Sequence, residues 1–204
     1  MIQESGPWRV ELLGTAERLA KRKSQRRWTD RTEFLIERDV MVGAYSVRRL
    51  KESFKVSDNL ANRTWPVRVH DPCGPVADVH NSHKIWDLYD LENGRDVELS
   101  LTNVCNQVIH SWVWGFSVQE DGCGLDGIFV SSDKKRKKCL YFLSIDMLVD
   151  LFRSVGEEDI YRIEMRRDET GEMRFTRIVG RRFGEEAVET FELPDDVKSA
   201  LSNL

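Results

Sequence analysis

The sequence predicts an α+β fold, an N-terminal helical hairpin whose long, buried second helix packs on a mainly antiparallel sheet. Three observations predict it. Residues 1–55 keep a helical period almost without interruption. The text after them is mostly consecutive short strands set off by turn residues, which favours an antiparallel sheet over alternating βα units. Between the two, VMVGAYSV at Val40–Val47 turns apolar side chains in every direction at 100° per residue, so neighbours must cover that helix on more than one flank.

Each element follows from local chemistry. Gly6-Pro7 starts a helix, because proline fits a first turn, and Trp8, Leu12, Leu13, Ala16, Leu19 and Ala20 give it an apolar stripe as far as Lys23. Trp28 to Lys55 reads as the second helix, with Asp30 as the capping side chain and Arg48, Arg49, Lys51 and Lys55 at the end where the dipole favours cations. Trp65–Val69 contains Pro66 and is expected at a sheet edge, since proline cannot donate to a ladder. His70–His83 holds two prolines and a glycine and reads as an irregular loop, followed by a short helix over Lys84–Leu91. Leu101, Val104, Cys105, Val108 and Ile109 fall at helical spacing. The period then becomes two, and Trp112, Trp114, Phe116 and Val118 mark a strand with one buried face.

The glycine-rich DGCGLDG turns that strand into Ile128–Val130. A charged tip from Asp133 to Lys138 leads to a third strand over Cys139–Leu143. Ser144 caps a helix that closes near Gly156. Ile160–Arg166 and Met173–Val179 form a hairpin around DETG. A third strand over Ala187–Leu193 and a terminal helix from Pro194 to Leu201 complete the expectation. The whole reads as one α+β domain over 1–204, a helical hairpin over 1–55 and a mixed sheet with short helices over 56–204.

Composition narrows the function classes. A hydrophobic content of 40% with 32% charged residues is that of a globular protein rather than a disordered one. No stretch approaches the length of a membrane span, and the polar opening MIQESGPW is followed by no apolar run of a secretion signal. Four cysteines without CxxC spacing read as free thiols, so the expected compartment is the cytoplasm. The net charge of −4 is unevenly spread. Residues 1–55 hold 13 Lys/Arg against 8 Asp/Glu, residues 56–133 hold 4 against 12, and residues 134–204 hold 14 against 15.

Two basic clusters follow from that distribution, Arg22, Lys23, Arg26 and Arg27 in the first run and Lys134, Lys135, Arg136, Lys137 and Lys138 in the loop. Clusters of this kind suit phosphate backbones, because each neutralised phosphate releases counterions, and Trp28 beside the first run is a candidate for stacking on a base. The plainer reading is a solvated helix face and a solubilising hairpin tip. Glu33 and Glu37, one turn apart, read as an ion-pair network or as carboxylates for a divalent cation. DGCGLDG lacks the Lys and Ser/Thr of a phosphate loop and is a hairpin turn. Cys105 and His110 share no helix face, and His110 is placed to complement the helix end.

His70, Cys73, His80 and His83 spell H-x2-C and H-x2-H with Asp71 and Asp78 between, and imidazole, thiolate and carboxylate are zinc's usual ligands. Zinc is therefore the one cofactor that the sequence suggests. The leading function is a non-catalytic binding or accessory protein with a nucleic-acid or protein-assembly partner. The alternative is a metal-dependent, hydrolase-like enzyme built from the His70–His83 loop and the helix carboxylates.

Overall fold

The computed structural model describes residues 2–120 and 122–182. Its fold is α+β with a mainly antiparallel sheet, as the sequence predicts. Helices α1 (Gly6–Arg22) and α2 (Asp30–Glu52) form the N-terminal hairpin. They are joined across their interface by Asp39, a carboxylate only 3% exposed that Arg18 meets at 3.1 Å and Arg38 at 2.8 Å. The cap of α2 is Thr29 rather than Asp30, and its side chain accepts from the Thr32 backbone N–H.

Short α3 (Asp58–Asn62) leads into β1 (Thr64–His70), and α4 (Ile85–Leu88) precedes β2 (Arg95–Ser100). Then come α5 (Leu101–Ile109), β3 (Ser111–Val118), β4 (Leu125–Ser132), β5 (Leu140–Ser144) and α6 (Ile145–Gly156). The five strands run antiparallel in the order β2-β1-β5-β4-β3. A separate antiparallel ribbon, β6 (Glu158–Arg167) with β7 (Met173–Arg182), follows α6. The expected third strand at Ala187–Leu193 and the helix at Pro194–Leu201 lie outside the described residues.

Helices α5 and α6 lie on one face of the five-stranded sheet. Helix α2 packs on both of them and on α1, which itself packs against α6. The burial of α2 is therefore reached through other helices, and it is incomplete. Val42 and Tyr45 are 44% and 48% exposed, with only the Trp8 ring of α1 reaching Tyr45 among the described aromatic contacts. The core joins Leu12 of α1, Ile36, Val40 and Val47 of α2, Val104 and Val108 of α5, Ile128 of β4 and Phe152 of α6. The other sheet face is covered by the segment 71–91, where Ala77, Ile85, Leu88 and Tyr89 pack with Val113 and Leu140.

Three expectations are corrected here. Strand β1 is second in the sheet, not at its edge. Pro66 is tolerated because β2 borders the strand from Thr64 to Val69, whereas β5 borders only Arg68–His70, so one side is open at Pro66. Strand β2 is an addition, and its apolar Val97 and Leu99 are only half-buried, which leaves a weak alternation. In β3 the register shifts between Ser111 and Val113, so Val113 is buried while Trp112 is exposed. A bulge re-aims the side chain that pure alternation would have put inside.

Candidate anion-binding groove

The charged tip between β4 and β5 is a compact turn. Ser132 O accepts from the N–H of Lys135 (2.8 Å) and of Arg136 (2.9 Å), and Lys135 O accepts from Cys139 N–H (3.0 Å). Arg136 does not face solvent with the lysines. Its guanidinium donates to Asp133 Oδ1 at 2.9 Å and to Ala77 O, and lies over the Trp112 ring at 4.8 Å; its carbonyl accepts from Tyr89 Oη at 2.7 Å. It fastens segment 71–91 to the sheet. Lys134, Lys135, Lys137 and Lys138 make no ion pair among the described residues.

Between this tip and the helices lies a groove of about 510 Å³, within the range of small-ligand sites, lined by Arg48, Asn103, Asn106, Gln107, His110, Ser132, Asp133, Lys134 and Lys135. Arg48 comes from the last turns of α2. Its Nη1 donates to Asn106 Oδ1 at 3.2 Å and lies 3.3 Å from His110 Nε2, and its Nε donates to Glu52 Oε1 at 2.8 Å. His110 is the C-cap residue of α5, as its place in the sequence suggests, and its carbonyl accepts from Asp133 N–H at 3.3 Å. Gln107 Oε1 accepts from Ser132 N–H at 3.2 Å. Helix ends and hairpin tip are thus tied into one wall.

The carboxylate that lines the groove, Asp133, is already answered by Arg136, and Glu52 behind Arg48 by Arg48 and Arg49. The Arg48 and Arg49 hydrogen bonds hold the Glu52 carboxyl below its ordinary range. Part of the cationic charge complements the partial negative C-termini of α2 and α5. Lys134 and Lys135 belong to neither helix.

The two basic clusters lie at opposite ends of β4. Lys23 O lies beside Gly124 at the start of β4, whereas Lys134 follows its end. Eight residues of strand separate them by roughly 23 Å. In the first cluster Arg22 donates to Gln25 Oε1 at 2.7 Å and Lys23 pairs with Asp146 at 2.8 Å. Arg26 and Arg27 are exposed. Trp28 is half-buried, its Nε1 donates to Cys123 O at 2.6 Å and its ring packs against Phe116.

The zinc expectation finds no support. Among the described residues no group of three or more His, Cys, Asp or Glu side chains is placed to hold a metal ion. His70 is buried in β1, with Nδ1 2.9 Å from Asp90 O and its ring edge-on to Phe129. Cys73, His80 and His83 are exposed on the loop, where Cys73 N–H is tied to Leu88 O and His80 N–H to Asp78 Oδ1. Strand geometry turns the first member of the quartet inward, away from the other three, which are exposed. Glu33 and Glu37 are both exposed, and the buried carboxylate of α2 is Asp39. Cys105 is buried, and burial pushes its thiol up to about 12, which leaves it inert.

A larger hollow of about 850 Å³ lies between α3, α6 and β7. Its charges are paired, Arg63 with Asp150 at 2.8 Å and Arg182 with Glu157 at 3.0 Å. Compared with models of known protein families, with characterised proteins and with solved structures, the chain matches none. Among the described residues, no helix is long and apolar enough to cross a membrane.

Proposed function

We propose that this protein is a non-catalytic binding protein and that its partner is a nucleic acid, held by its phosphates in the groove between α2, α5 and the β4–β5 tip. The observation that carries the reading is the convergence of Arg48, His110, Lys134 and Lys135 from three elements far apart in sequence, with Asn103, Asn106 and Gln107 between them as neutral hydrogen-bonding groups. Arginine and lysine together offer a planar fork and mobile point charges, which suits a run of phosphates better than one rigid small anion. A hydrolytic role has no support from the loop that suggested it, because the ligand set is scattered.

Fluorescence anisotropy with labelled oligonucleotides at about 50 mM salt tests the reading, under conditions where phosphate contacts are strong. Affinity is expected to fall as salt rises, with a log–log slope of about −2 for three single-strand phosphate contacts. The double variant Lys134→Ala/Lys135→Ala should bind more weakly and lose most of that slope, while Arg26→Ala/Arg27→Ala at the far end of β4 should behave as wild type. Absence of binding at low salt would leave a protein partner as the leading reading.

A further inference from the structure

Resting on that reading, we propose that the ligand is single-stranded nucleic acid and that Trp112 stacks one of its bases beside the phosphate groove. A phosphate groove alone does not choose between a duplex and a single strand. What distinguishes them is access to base faces, which a duplex keeps stacked and a single strand presents to aromatic side chains.

Trp112 is where such a face would be met. It lies on β3, an edge strand of the sheet, at the position where the register slips, and 42% of it is exposed. The Arg136 guanidinium lies over one face of its ring at 4.8 Å. That contact fixes the indole. The link to the groove is short and continuous. Trp112 is two residues from His110, whose carbonyl accepts from Asp133 N–H, and Asp133 Oδ1 in turn accepts from the Arg136 guanidinium over the indole. Trp112 does not line the groove itself but is joined to its lining residue Asp133 through Arg136, which brings a base near a strand whose phosphates meet Lys134 and Lys135.

The other tryptophans do not offer this combination. Trp65 is buried, Trp28 is hydrogen-bonded within the fold, and Trp8 and Trp114 pack against the core. Trp86 is exposed on α4 but has no hydrogen bond or ring contact to the β4–β5 tip among the described residues.

The test compares oligothymidine with a duplex of equal length, using wild type, Trp112→Leu, Trp112→Phe and Trp86→Phe, with circular dichroism to confirm that each variant is folded. Wild type should prefer the single strand, and oligothymidine should quench its tryptophan emission. Trp112→Leu should bind the single strand about tenfold or more weakly, the size of one lost base stack, with the salt slope unchanged. Trp112→Phe should keep most of the affinity but lose the quench, and Trp86→Phe should keep both. Equal binding of duplex and single strand, or full affinity in Trp112→Leu, overturns the proposal while leaving phosphate binding standing. No binding to either oligonucleotide overturns both.

Discussion

Gly43 shows how one residue sets the distance between two elements. A Cβ built there would lie 2.5 Å from two ring carbons of Phe152 on α6, a separation that real side chains do not reach. Phe152 is fully buried, so its ring has no free space to enter. Glycine is thus required by close approach of α2 to α6 rather than by an unusual backbone angle. Gly43→Ala should destabilise the protein by about 1–3 kcal/mol, and the larger Gly43→Leu by at least as much. The double variant Gly43→Ala/Phe152→Leu should recover part of that loss, because the ring is what the new methyl group meets. Denaturant unfolding of the single and double variants measures the coupling, and strictly additive effects would show that the two positions do not touch.

At the scale of elements, what the sequence made legible depended on the strength of its periodicity. Helices α1, α2, α5 and α6 announce themselves through long apolar stripes, and Ser144 caps α6 through Met147 N–H as its position suggests. Strand β2 stayed hidden because its side chains are only partly buried. In β3, Trp114 and Phe116 pack on the core as alternation suggests, whereas Trp112 and Val118 are exposed at register shifts that leave no mark in composition. The groove was half legible. Lys134 and Lys135 stand out as a charge run, but Arg48 and His110 gain meaning only when the ends of α2 and α5 meet the hairpin tip. The β6–β7 ribbon was readable from alternation and its turn chemistry. Phe54, at φ 59, ends α2 and stacks its ring on Phe175 to dock that ribbon.

The ribbon's turn depends on Asp168, which accepts from Thr170 N–H and Oγ1, from Glu172 N–H and from Arg174 Nε. These donors, the Thr170 hydroxyl and Arg174 foremost, hold its carboxyl down to about 2 from an ordinary 3.8. A depressed carboxyl contributes stability above its unfolded value and loses it as pH falls between those two values. Asp168→Ala should therefore speed amide exchange along β6 and β7 at neutral pH and leave the five-stranded sheet unchanged. Uniform acceleration across both sheets would show instead that the turn governs the whole fold.

Across the whole molecule, one buried junction joins elements from both ends of the described chain. Glu158, 8% exposed at the start of β6, accepts from Ser57 N–H at 3.0 Å and from Ser57 Oγ, the same hydroxyl that caps α3 by accepting from Leu60 N–H. Arg9 of α1 reaches the same place, donating to Val155 O at 2.5 Å and Lys55 O at 2.6 Å, and its charge faces Glu158 and Asp159. Burial is the dominant influence and raises the Glu158 carboxyl above its ordinary 4.5, against the opposing pull of Ser57 and Arg9. The sign follows from proton counting. Between 4.5 and the raised folded value the native state holds the proton more tightly than the unfolded chain, so stability declines as pH rises through that window. Glu158→Gln keeps an acceptor for Ser57 N–H and removes the buried charge. Its thermal midpoint should hold steady over the interval where that of the wild type declines, so the difference between the two should grow from pH 4.5 toward neutrality and then level off. Midpoint curves that run parallel across the interval would show that Glu158 titrates alike in the folded and unfolded chain.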